Sequence, residues 1–170
     1  MKRVRLNLLN KEAIRQRRFK RLLKKLDLRA SSAGVVLEDV EGNVLVVKAT
    51  YKDYWSFPGG IVDVGETPLM AAVRECSEEV GVVLNPDNLI FRFVVNRVSE
   101  IAITYQFIFA GSISPDQKPL LKLDGKEIEA YDFVSKSQIL EKDRRYSQSV
   151  ALWAKDFQDG YNEQRFGDSY

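Results

Sequence analysis

Glu75, Glu78 and Glu79 stand three and four residues apart, the spacing that puts side chains on one face of an α-helix. The helix is marked out at both ends. Thr67 is suited to the N-cap, Pro68 to the first helical position and Gly81 to a left-handed stop, so the sequence predicts a helix over residues 68–80. Leu69, Val73, Cys76 and Val80 would form its core stripe and the three acids would lie opposite. Carboxylates at these spacings repel by roughly a few tenths of a kcal/mol per pair. Glu78 and Glu79 also crowd the last turn, where the helix dipole disfavours anions by roughly 0.3–1 kcal/mol each. The plain alternative is a solvated acidic face. Local rules broken together in one place point instead to a functional site. A divalent cation would offset the repulsion, and oxygen ligands alone select Mg²⁺, or Mn²⁺, over zinc. The chain has no histidine and one cysteine, which excludes Ser-His and Cys-His nucleophiles, His-bound zinc, an internal disulfide and a CxxC pair.

These acids belong to a longer pattern: Gly60, five residues, Glu66, seven residues, Arg74-Glu75, Cys76, Ser77, Glu78-Glu79, Val80, Gly81, Val82. It resembles the Nudix box, Gx5EX7REUXEEXGU, with Cys76 where a bulky aliphatic residue is usual. The resemblance, to a MutT-like member of the family, implies an α/β fold, the Nudix-type α/β/α sandwich with a mixed β-sheet. It also implies hydrolysis of a nucleoside diphosphate linked to another moiety. By position, Glu75, Glu78 and Glu79 would be metal ligands, with Glu79 or Glu75 activating water. Gly59 would add its backbone carbonyl to the metal, and Glu66 and Arg74 would orient the loop against the helix. Glu127 stands where MutT-like members carry a further glutamate that binds metal or acts as base. Cys76 falls in the apolar stripe and reads as core, since a buried free cysteine behaves as a small hydrophobe.

Elements must hold this helix in place, and 170 residues suffice for one domain to do so. Ala33–Leu37 and Asn43–Lys48, joined by a short polar turn with a glycine, predict a hairpin. Further strands are expected at Trp55–Phe57, Ile61–Val64, Leu89–Val95, Ile101–Phe109 and Glu127–Val134. Helical pieces are expected near Ser135–Glu141 and Tyr146–Phe157. The net charge of +2 conceals two regions. Residues 1–29 hold 12 Lys/Arg against two acids and form a basic helical N-terminal arm, amphipathic through Ile14, Phe19, Leu22, Leu23 and Leu26. Residues 30–170, the Nudix hydrolase domain, hold 14 Lys/Arg against 22 acids. The arm could pack on the body or on a second subunit in a homodimer, gather polyphosphate or RNA, or lie on a membrane surface. No apolar stretch approaches the roughly 20 residues of a membrane span, so a cytoplasmic protein is the expectation.

The substrate is less legible. A proline about 15 residues past the box, a mark of many ADP-ribose hydrolases, is replaced by Arg97. Val98-Ser99-Glu100 stand where dinucleoside polyphosphate hydrolases carry a tyrosine. A nucleoside triphosphate or nucleotide sugar is therefore the expected substrate, with an enzyme trimming RNA 5′ phosphates, or a non-catalytic nucleotide- or RNA-binding module, as rivals. Tyr54, Trp55 and Phe57, with the neighbouring Tyr51, precede the box closely enough to line a base pocket. Arg97, Tyr105 and Gln148 are weaker candidates for base or sugar contacts.

Overall fold

Two strands that are buried on both faces set the architecture. The computed structural model describes residues 29–98, 103–123 and 125–165, together with Ile14, Arg17 and Arg18. In β1 (Ala30–Glu38), Ala33, Val35 and Leu37 point to one side and Val36 to the other. In β2 (Val44–Ala49), Leu45, Val47 and Ala49 oppose Val44 and Val46 in the same way. Alternating apolar side chains on both faces require a cover on each. The long helix α1 (Pro68–Val80) covers one face through Ala71, Ala72, Cys76 and Val80. The short helices α2 (Lys136–Glu141) and α3 (Gln148–Ala154) cover the other through Ile139, Val150, Trp153 and Ala154. The result is an α/β/α sandwich around an eight-stranded mixed sheet.

The expected hairpin exists only at its root. Its turn is tied by Asp39 and Asn43, but β1 and β2 pair only at Glu38 and Val44. Beyond that point they diverge. β1 pairs along its whole length, in parallel, with β6 (Ile103–Ser112), and in antiparallel with β4 (Gly59–Ile61). β2 pairs with β3 (Trp55–Ser56) and β7 (Ile128–Val134). The splay separates two half-sheets and leaves a cleft between them. β5 (Ile90–Val98) continues the sheet beside β6.

Some boundaries differ from those read in the sequence. β4 consists of Gly59–Ile61 rather than Ile61–Val64, because the two glycines lie against β1 and Val64 turns fully into solvent. α3 ends at Ala154 rather than near Phe157, just before Asp156 adopts a left-handed φ of 54°. A last strand, β8 (Tyr161–Arg165), runs parallel to β5 at the sheet edge and was not among the expected elements. Of the N-terminal arm, Ile14, Arg17 and Arg18 are helical and exposed and Arg29 leads into β1; the rest lies outside the described residues. Among the described residues no helix is long and apolar enough to cross a membrane.

Candidate active site

α1 presents the acids, and its ends are fixed as the sequence predicts. Thr67 Oγ1 accepts the Met70 amide at 3.3 Å, and Gly81, at φ 73°, donates to the Ser77 carbonyl at 3.1 Å. The helix is rotated from its expected setting. Val73 is only half-buried, whereas Ala71, Ala72, Cys76 and Val80 are buried and Glu79 goes in with them at 7% exposure. The acids therefore flank the core stripe rather than oppose it. Glu78 alone faces solvent broadly, with its side chain 60% exposed against 14% for Glu75.

Burial raises the cost of charge at both inner acids. It is the main force pushing Glu79 up to about 7, with the nearby Glu75 and Glu127 carboxylates adding to it and the Gly59 amide and Lys52 opposing it. Glu75 is raised first by burial, although Arg74 pulls it back. The Gly59 amide donates to Glu79 Oε2 at 2.8 Å. Glycine is required here, since φ is 149° and a Cβ would fall 2.1 Å from the Ala33 carbonyl oxygen. At Gly60 a Cβ would fall 2.4 Å from Glu75 Oε1, so the missing side chain makes room for that carboxylate.

Arg74 supplies the compensation that is invisible in a helical wheel. Its Nη1 donates to Glu75 at 2.7 Å and to Glu78 at 3.1 Å. Its Nε and Nη2 grip Glu66 at 3.1 and 3.0 Å, and Nη2 reaches the Ile61 carbonyl at 2.9 Å. Glu66 is held below its ordinary range chiefly by that guanidinium. The loop between β4 and α1 is thus bolted to the helix.

A cavity of about 360 Å³ gathers Arg74, Glu75, Glu78, Glu79, Lys126 and Glu127. Glu127, distant in sequence, reaches it because its carbonyl accepts the Thr50 amide at 2.8 Å at the head of β7. The donor set is oxygen only and over-supplied with negative charge, which suits a hard divalent cation. In the arrangement described, no three of these acids converge on one ion-sized point among the described residues, because Arg74 draws Glu75 and Glu78 while Gly59 draws Glu79.

The expected substrate contacts divide. Phe57 is not one of them: it is 2% exposed, and its ring meets Trp153 edge-on in the core at 6.4 Å. It belongs to the core beneath α2 and α3, with Val36, Val44, Val46 and Ile108. Tyr54 is partly exposed, and Trp55 is half-buried on β3 beside the cleft. Arg97 lies on the α2/α3 face of β5, two residues from the buried Val95, and donates to Gln106. Tyr105 points to the opposite face, because neighbouring strand residues alternate, and the Arg29 guanidinium lies over its ring at 5.9 Å. Arg97 and Tyr105 therefore cannot serve one pocket. Lys52 escaped the sequence reading. It is half-buried, and burial lowers its pKa against the pull of Glu79, Glu127 and Glu75, while Arg97 pushes the same way as burial. Among the described residues no carboxylate lies within ion-pairing distance of its ammonium, whose close neighbour is the Tyr51 ring at 5.2 Å. A lone lysine in a loop carries no sequence signal; only the splay of the sheet places it opposite the acids.

The long helix of this α/β/α sandwich thus carries clustered acids beside a glycine-lined loop. Residues 28–153 match the profile of the NUDIX domain, and the chain belongs to the Nudix family. A curated relative named RNA pyrophosphohydrolase, from Psychrobacter sp. (strain PRwf-1), is 47% identical over 51 residues, which are 30% of this chain and 30% of that protein. The chain thus matches less than a third of the length of such relatives. In fold, it resembles a MutT NUDIX hydrolase from Burkholderia pseudomallei (TM-score 0.62, 17% identity, 77% of this chain and 99% of that one). It also resembles a bifunctional NMN adenylyltransferase/ADP ribose pyrophosphatase from Francisella tularensis complexed with AMP and a Mn ion (TM-score 0.63, 20% identity, 82% of this chain and 44% of that one).

Proposed function

We propose that this protein is a Mg²⁺-dependent pyrophosphohydrolase that cleaves a nucleoside diphosphate linked to another moiety, of the NTP, nucleotide sugar or ADP-ribose type. The products are a nucleoside monophosphate and a phosphate-containing partner. The observation that carries this reading is the convergence of Glu75, Glu78, Glu79 and Glu127 on one cavity, with Gly59 beside them and Arg74 as the only guanidinium among its lining residues. Glu75, Glu78 and Glu79, with the Gly59 carbonyl and Glu127, would hold the cation. When bound, such an ion screens phosphoryl oxygens and makes the attacking water more acidic. The chain's own acids then complete the chemistry. Glu75, Glu79 or Glu127 takes the proton, while Arg74, braced on Glu66, keeps the helix and its loop in register. Tyr54 and Trp55 flank the nucleoside, and Lys52 and Arg97 offer positive charge to the phosphate chain on the side away from the acids. Soluble work in the cytoplasm accords with this reading.

The test is release of phosphate and pyrophosphate with Mg²⁺ across NTPs, nucleotide sugars, ADP-ribose and triphosphorylated RNA. Activity on at least one of them, lost in both Glu78→Gln and Glu79→Gln, supports the assignment; turnover retained in both variants refutes it. RNA 5′ ends are the second reading. Two observations favour it: the name borne by the bacterial relative and the surplus of ten positive charges in residues 1–29. Deleting residues 1–28 separates the roles of the arm. A raised, salt-sensitive KM marks substrate capture, whereas unchanged KM with a lost homodimer marks packing.

A further inference from the structure

The sheet is covered unequally on its α1 side. α1 packs on β1 and β4 and reaches β6 only at its margin. Beyond that margin the strand pairing puts Phe91, Val94 and Asn96 of β5, with Tyr161 and Glu163 of β8, on the same side as α1. Phe91 is 48% exposed and Tyr161 49%, so aromatic surface lies open on this outer part of the sheet. One polar atom there lacks a partner. Asn96 is 6% exposed and its Nδ2 donates to the Tyr161 hydroxyl at 2.9 Å, but among the described residues nothing donates to its Oδ1. A buried carbonyl oxygen left in that state costs about 1–3 kcal/mol.

The chain itself supplies an occupant. Residues 1–28 precede Arg29, and Arg29 enters β1 on this side, its guanidinium 5.9 Å from the centre of the Tyr105 ring and its Nη1 donating to the Tyr105 hydroxyl at 3.3 Å. Tyr105 stands opposite Asn96 in the β5–β6 pairing, so the arm joins the sheet beside the unpaired carbonyl. Set on a helical wheel, Phe19, Leu22, Leu23 and Leu26 fall within an arc of about 100°. Ile14, Arg17 and Arg18 fall outside that arc, and all three are exposed. The expected helix of about 16 residues would be about 24 Å long, and β5 runs about 23 Å from Val98 to Phe91. The charges also match, because the arm carries ten surplus positive charges and residues 30–170 carry eight surplus negative ones.

We propose that residues 10–26 dock as a helix on their own chain, across the α1 side of β5 and β8. Phe19, Leu22, Leu23 and Leu26 then cover Phe91, Val94 and Tyr161, and one of the cations bordering the stripe donates to Asn96 Oδ1. The remaining cations stay in solvent. The docking does not depend on which substrate is cleaved, and it makes the arm a fixed layer of the body rather than a free tether.

Hydrogen–deuterium exchange of the full-length protein, read by mass spectrometry, tests the docking. Amides of residues 11–26 are expected to exchange at least about tenfold more slowly than those of an unfolded chain. The double variant Leu22→Lys, Leu23→Lys keeps good helix formers in the arm and is expected to abolish that protection while speeding exchange in β8. From the other side, Phe91→Glu and Tyr161→Glu are expected to release the arm in the same way, with unchanged exchange in α1 showing that the body stays folded. An arm that exchanges at unfolded-chain rates in the native protein, or that keeps its protection in both body variants, overturns the proposal. Protection that disappears on dilution as a dimer dissociates places a second copy's arm on this face and overturns docking within one chain.

Discussion

Among the described residues two carboxylates are almost withdrawn from water, and they live in opposite circumstances. Asp39, at the root of the splayed strands, has its side chain fully buried and accepts the Glu41 amide at 2.9 Å, the Asn43 amide at 2.8 Å and the Lys118 ammonium at 2.6 Å. Burial alone would raise its pKa, but Lys118 and the two amides outweigh it and hold the group below its ordinary value. Glu79 has one amide and two repelling neighbours, and is pushed up. The first acid is a finished piece of structure. The second is left short of partners, which accords with the reacting role proposed for it.

Replacing each acid tests that contrast, and the largest effect is expected at Glu79. Glu79→Gln should lower kcat by about three orders of magnitude, read by pyrophosphate release. In EDTA its thermal midpoint should not fall, since a crowded buried charge has gone; a midpoint lowered by several degrees would make Glu79 a structural residue like Asp39. Gly60→Ala comes next. Its methyl group displaces the Glu75 carboxylate, and turnover should fall about 10–100-fold, with the loss partly recovered as Mg²⁺ or Mn²⁺ is raised in a metal titration.

Asp39→Asn should behave in reverse, costing about 2 kcal/mol in urea unfolding with kcat held. The pH dependence follows from the sign of the shift. A carboxyl whose folded pKa is depressed stabilises the fold above its unfolded value, near 3.8, and loses that contribution as pH falls through the folded value. The stability gap between native protein and Asp39→Asn should therefore be full at pH 6 and narrow as the pH falls below 3.8; a gap constant with pH would mean that the contacts of Asp39 are not ionic. The smallest effect concerns Cys76. Its thiol is buried and pushed up to about 12, first by burial and then by the Glu79 charge, so a thiol reagent at pH 8 should label it only upon unfolding, and prompt labelling of the folded protein would show that α1 opens.

What the sequence reveals here is local. The limits of α1 are read from Thr67, Pro68 and Gly81, and the box residues from their spacing, because caps and helical periodicity act within a few residues. The rotation of α1 that buries Glu79 is not legible, since it depends on small Ala71 and Ala72 fitting against β1 better than Val73 does. Phe57 reads as a pocket aromatic beside Trp55 until the sheet is built and its place in the core is visible. β8 is hardest: Tyr-Asn-Glu-Gln-Arg has no apolar face, and it becomes a strand only because β5, far away in sequence, offers an open edge. Glu127 and Lys52 share that difficulty, both being brought to the cleft by long-range pairing.

The grip of Arg74 on the acids has one more consequence. With its guanidinium already seated between Glu75 and Glu78, the loading of a dication under the proposed function would be an exchange rather than an addition. The arginine need not leave altogether, for it retains Glu66 and the Ile61 carbonyl. The net affinity would then be a difference between two competing positive charges, so occupancy would follow the ambient concentration of the ion.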